Sequence, residues 1–178
     1  MSVYSLSITL LYLSSTLAVI LTRFANYKLG NLIGILVAFI AFILAAFRPW
    51  YFPDVDTYEI MYEFASSGEF NDPAYWIAHG EPGFKIFSYF LSSLGFSYSG
   101  FLLSMAILSY LLLMYVSRLS KIPFAYMWFT YFSFFFITRD LGVIRLSIAS
   151  HLIVIFFMQR KLIWQSLSLL AASLGFQY

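Results

Sequence analysis

The sequence predicts an all-α, polytopic transmembrane bundle with a long acidic outer loop and one short re-entrant or interfacial helix. Three observations carry that prediction. Hydrophobic residues make up 62% of the chain and charged residues 10%, against roughly 25% charged in a soluble domain. A soluble protein of 178 residues cannot keep that much apolar side chain from water. Apolar stretches of membrane-spanning length recur along the chain, and the first, residues 2–22, holds no charge at all. Finally, seven of the eight acidic residues lie between Arg48 and Pro82. That stretch sets one arginine against Asp54, Asp56, Glu59, Glu63, Glu69, Asp72 and Glu81, a formal charge of −6, while the rest of the chain sums to +8.

The elements follow in order. Residues 2–21 form the first expected span; Met1-Ser2-Val3 lacks the basic start of a cleaved signal peptide, so the segment is read as retained. Arg23, Asn26 and Lys28 make a polar connection to a second span over 31–47. Arg48-Pro49 ends it, because proline lacks an N–H and disfavours helix in the residue before it. The acidic loop 48–82 carries an amphipathic helix over Val55–Phe64, with Asp56-Thr57-Tyr58-Glu59 at capping-box spacing and Asp56 as its N-cap. The apolar segment 84–96 contains Lys85 and is too short to cross a bilayer core, hence the re-entrant or interfacial reading. Further spans are expected over 99–117, 123–138, 141–158 and 162–178, making one transmembrane domain of 1–178. The chain stops inside its last apolar segment, so the sequence is read as the N-terminal part of a longer protein.

Cytoplasmic loops of membrane proteins carry an excess of Lys and Arg. If 84–96 only dips into the membrane, Arg23/Lys28, Arg118/Lys121 and Arg160/Lys161 all fall on the cytoplasmic side and the acidic loop lies outside. Arg139 and Arg145 then lie near the outer face. The absence of cysteine excludes disulfides, thiolate metal sites and a cysteine nucleophile. The charge pattern offers nothing to nucleic acid, and no cofactor is implied.

Arg145 is the sharpest chemical signal. An arginine inside an apolar span costs about 2.5–3.5 kcal/mol on insertion scales, so it must meet an anion, a carbonyl or water. A ligand-facing arginine and a structural ion pair with a loop carboxylate both satisfy that need. Arg139 precedes it by six residues, about 240° around a helix, so the two do not share a stripe but can flank one ligand. His151, deeper in the same span, reads as a hydrogen-bonded core residue. His79 is a loop residue without a metal-spaced partner. Asp54-x-Asp56 has the spacing of an acidic metal-binding pair, although the capping role of Asp56 leaves Asp54 as the freer carboxylate. Glu81-Pro82-Gly83-Phe84 leads tightly into the short helix and brings Glu81 near its positive end.

The order Arg48-Pro49 with Asp54-x-Asp56-x-Tyr58, then Glu81-Pro82-Gly83-Phe84, then Ile144-Arg145-Leu146 resembles the EpsG/Wzy-type polysaccharide polymerase family. The resemblance covers roughly residues 48–178, and the tetrapeptide is its most specific part. It departs from the common family pattern at Gly142, where asparagine is usual, and at Gln177-Tyr178, where a histidine often leads. The resemblance implies a bacterial inner-membrane, multi-pass enzyme that polymerises undecaprenyl-diphosphate-linked oligosaccharides into O-antigen, capsule or exopolysaccharide. Its expected partners are the lipid bilayer, the lipid-linked oligosaccharide, and chain-length regulator and flippase proteins. On this reading Asp54, Glu81 and Arg145 carry the chemistry, while Arg48, Arg139, Arg145 and Asp56 bind substrate. The alternatives are a transporter or flippase subunit for an anionic or lipid-linked substrate, and an inactive fragment.

Overall fold

In the computed structural model, residues 3–47, 55–69, 72, 82–136, 144–159 and 161–175 are described. They form eight α-helices and no strand: α1 Val3–Phe24, α2 Tyr27–Ala46, α3 Val55–Ser66, α4 Pro82–Ser93, α5 Tyr98–Ser120, α6 Phe124–Tyr131, α7 Ile144–Met158 and α8 Leu162–Gly175. A π-helical turn, Phe132–Phe136, continues α6. The all-α class read from composition is the class observed. Three helices, α1, α2 and α5, are long and apolar enough to cross a membrane.

The helix ends have local causes. Asn26 caps α2 by accepting from the Leu29 amide at 3.0 Å, and Ser97 caps α5 by accepting from the Gly100 amide at 3.4 Å. Pro82 opens α4, where a missing N–H costs nothing. At its 12 residues, α4 is about 18 Å long, well short of a hydrocarbon core of about 30 Å. The acidic helix begins at Val55, two residues earlier than capping by Asp56 requires. Asp56 is thus a first-turn residue, not the N-cap; there its exposed carboxylate faces the positive pole of the helix.

Aromatic and small residues hold the bundle together. Without a hydrophobic drive between helices in lipid, close van der Waals approach has to do that work. A Cβ on Gly34 would lie 2.8 Å from the Ala125 Cα, so α2 and α6 meet backbone to backbone. Trp128 is fully buried and donates its indole N–H to Ser15 Oγ at 2.8 Å, tying α6 to α1. Phe132 and Phe136 stack at 5.3 Å and both contact Trp128. The wider π-turn keeps residues four apart more closely in line, which brings all three rings to one side.

Two hydrogen-bonded pairs fix the direction of α7. Ser109 and Ser147 hydroxyls lie 3.1 Å apart, and Gln159 donates to the Tyr115 hydroxyl at 2.6 Å. Residue numbers rise together, so α5 and α7 run parallel. Helix α2 runs the other way: Ile35 accepts from Tyr110, while Asn31 and Arg118 line one cavity. The start of α5, the start of α7 and the end of α2 therefore share one end of the bundle.

Candidate functional site

That shared end is the acidic one. Helices α3 and α4 pack on each other and on the first turns of α5. Phe101 is the hub, with ring centroids 5.0 Å from Tyr62, 5.2 Å from Phe84 and 6.1 Å from Phe87. Tyr62 adds a hydrogen bond of 2.7 Å to the Phe96 carbonyl. Burying this aromatic face turns the other side of α3 outward, so Asp56, Glu59 and Glu63 are exposed.

Against that carboxylate surface stands a cation the sequence reading used only as a sign that 84–96 does not cross. Lys85 is 0% exposed, packed with Phe84, Ser88 and Leu91 on the buried face of α4. Its Nζ lies 6.0 Å from the centre of the Phe64 ring. It also sits in the first turn of its helix, at the pole unfavourable to positive charge. Burial and dipole both oppose a cation here, so the position is held against local preference. Ser88, one turn on and also fully buried, has no hydrogen-bond partner for its hydroxyl among the described residues. The spacing of Phe84, Lys85, Ser88 and Leu91 on one helical face was the signal available in sequence.

The second part of the site is the start of α7. Arg145 is the second residue of that helix, two residues before Ser147. Ser109 lies eight residues beyond Phe101 on the parallel helix. The Arg145 backbone is thus about 9 Å below the Phe101 layer along the bundle axis. Ser147 anchors this turn with hydrogen-bond distances of 3.1 Å to Ser109 and 2.8 Å to the Tyr131 hydroxyl. One turn deeper, His151 donates from Nδ1 to the Ser147 carbonyl at 2.7 Å. Nε2 is then an acceptor, and it has no partner among the described residues. The ring lies 4.9 Å from Tyr131 and lines an apolar cavity of about 210 Å³ with Leu113, Met127 and Val154. A backbone-bonded core histidine, as the sequence implied, is what the packing gives.

Besides His151, the residues singled out from sequence that fall within the described residues are Asp56 and the backbone of Arg145, at the same end of the bundle. Arg48, Asp54, His79, Glu81 and Arg139 lie outside them, as does the side chain of Arg145.

Apolar helices of spanning length, with an exposed acidic helix and a buried lysine at one end, define a helical membrane protein. The chain belongs to the EpsG family, whose model matches residues 31–177. The match takes in α2 to α8 and therefore both parts of the site. Neither the curated proteins nor the solved structures compared with the chain gave a match. Membership of this family gives the protein a role of the polysaccharide-polymerase type, in a membrane.

Proposed function

We propose that the protein polymerises undecaprenyl-diphosphate-linked oligosaccharide repeat units at the outer face of the bacterial inner membrane, for O-antigen, capsule or exopolysaccharide. The observation that carries this reading is the parallel course of α5 and α7, which brings the first turn of α7 and the acidic helix to one end. In the proposed reaction an acceptor sugar hydroxyl attacks the anomeric carbon of the growing chain. The new carbon–oxygen bond forms as the bond to the carrier diphosphate breaks, and the diphosphate leaves with the electron pair. The acceptor proton passes to a carboxylate.

Each step asks for a residue type that the sequence supplies. Arg145, with Arg48 and Arg139, neutralises charge developing on the diphosphate, where fixed guanidinium donors in a water-poor setting act most strongly. Asp54 or Glu81 takes the acceptor proton if it comes within hydrogen-bond reach of the hydroxyl. Asp56, exposed in the first turn of α3, binds sugar hydroxyls. Lys85, buried with its Nζ 6.0 Å from the Phe64 ring centre, adds a positive charge at this end of the bundle. On this reading the partners are the lipid-linked oligosaccharide, a chain-length regulator and a flippase.

The test is polymer length in cells whose only copy of this protein is a variant. Arg145→Ala and Asp54→Ala should each abolish long polymer while the protein accumulates normally in the membrane. Long polymer from both variants would sink the assignment. Cleavage of lipid diphosphate in membrane preparations separates this reading from transport, which moves substrate along a gradient without breaking a bond.

A further inference from the structure

The opposite end of the bundle holds a cavity of about 350 Å³ where α2 begins, α5 ends and α6 begins. Its polar wall consists of Tyr27, Asn31, Ser117, Arg118 and Lys121, with no carboxylate. Two of these residues are fixed by the fold. Ser117 donates to the Ile122 carbonyl at 2.8 Å, and the Asn31 side-chain oxygen accepts from the Ala125 amide at 3.2 Å. The Asn31 NH₂ group, the Tyr27 hydroxyl and the side chains of Arg118 and Lys121 make no hydrogen bond or ion pair among the described residues. Four donors around one hollow, two of them charged, make a receptor for an anion.

Lys121 supplies an independent observation. It ends α5 in the left-handed region at φ 58°, the one non-glycine residue with positive φ among the described residues. Glycine takes that position without penalty, and a side chain does not. A cation is thus kept where backbone geometry favours glycine, and strain of this kind gathers at binding sites. The same lysine also lines a neighbouring cavity of about 420 Å³ with Gln159, Lys161 and Trp164.

The rest of the cavity says what kind of anion fits. Ile35 and Met114 form its apolar wall, and the surrounding surface exposes Leu32, Leu36 and Ile122. Tyr27 and Trp164, 57% and 54% exposed, are residues that favour the level of lipid headgroups. A soluble phosphate has no use for an apolar wall, whereas an amphiphile uses both surfaces. Basic pockets between helices on the cytoplasmic side are where anionic lipid headgroups bind. We infer that the cavity formed by Tyr27, Asn31, Arg118 and Lys121 binds the phosphodiester headgroup of an anionic phospholipid, with an acyl chain along Ile35 and Met114. This site is separate from the proposed polymerising site and does not depend on it.

The test uses the purified full chain in neutral detergent, with its thermal midpoint followed as lipid is added. Phosphatidylglycerol should raise the midpoint by several degrees, and phosphatidylcholine or inorganic phosphate at equal concentration should not. Arg118→Gln should weaken phosphatidylglycerol binding about tenfold, the loss of one charge-assisted contact. Lys121→Gly gives the decisive arm, because it removes the cation and relieves the left-handed backbone together. Without lipid it should unfold at the wild-type temperature or above, and yet lose most of the lipid shift. Lys28→Gln removes an exposed cation at the same end, outside the cavity, and should keep the shift. Equal stabilisation by phosphatidylcholine would overturn the inference. So would full stabilisation by inorganic phosphate, an undiminished shift in Lys121→Gly, or an equal loss in Lys28→Gln, which would mean diffuse charge attraction only.

Discussion

The two ends of the bundle treat charge in opposite ways. At the acidic end the carboxylates of α3 face outward and the cation, Lys85, is sealed beneath aromatic rings. At the basic end Arg23, Lys28, Arg118, Lys121 and Lys161 are all exposed, with no carboxylate beside them among the described residues. A buried charge has lost its water and must be compensated by protein or ligand. An exposed one keeps its hydration and remains available to a mobile partner. The contrast separates an end organised around fixed internal electrostatics from one organised to attract anions at a membrane surface.

Removing Phe101, the hub of the acidic end, should give the largest effect. Phe101→Ala should cost about 3–5 kcal/mol, the usual range for a buried phenylalanine. It should also free α3 and α4 first, so protease cleavage within 55–93 should rise before the basic end loosens. Simultaneous cleavage at both ends would mean that they are one cooperative unit. Gly34→Leu attacks the other side of the comparison by forcing α2 from α6, where the Ala125 backbone leaves no room. Overpacking of this kind costs about 1–3 kcal/mol, and the thermal midpoint in detergent should fall accordingly.

Smaller changes sharpen the boundary between the ends. Ser147→Ala removes the hydroxyl shared with Ser109 and Tyr131. Its cost should be about 0.5–1.5 kcal/mol, in line with interhelical hydrogen bonds in membranes. If polymer length collapses while stability falls only that far, the turn carrying Arg145 is being positioned and not merely held. His151→Leu should change stability least, within about 1.5 kcal/mol, because it trades an unpartnered Nε2 for an apolar group of similar size. Lost polymer in a stable His151→Leu protein would give that histidine a chemical role the packing does not require.

Much of this was readable beforehand because a few strong signals dominate. Apolar composition forces helices in a membrane, since only there does each backbone group find a partner within its own segment. Uncharged runs of spanning length marked α1, α2 and α5, and Pro82 marked the start of α4. The capping reading of Asp56 missed by two residues, because a cap is decided by where the chain turns helical and not by spacing alone. In sequence Lys85 speaks only against a full crossing by 84–96, since nothing local says that an aromatic ring from α3 will lie over it. Lys121 was counted as one more cytoplasmic charge; its left-handed backbone depends on how α5 hands over to Pro123 and α6.

The sequence by itself determined an all-α membrane bundle, a strong separation of charge along the chain, and the motifs that mark its family. Tertiary structure alone decided which ends meet. The parallel course of α5 and α7 rests on contacts between residues 38 and 44 positions apart, and no local pattern specifies those. Helix formation follows from each segment's own backbone and side chains. The direction in which one helix lies against another follows from Ser109 finding Ser147 and from Gly34 admitting Ala125, which exist only once the chain has packed.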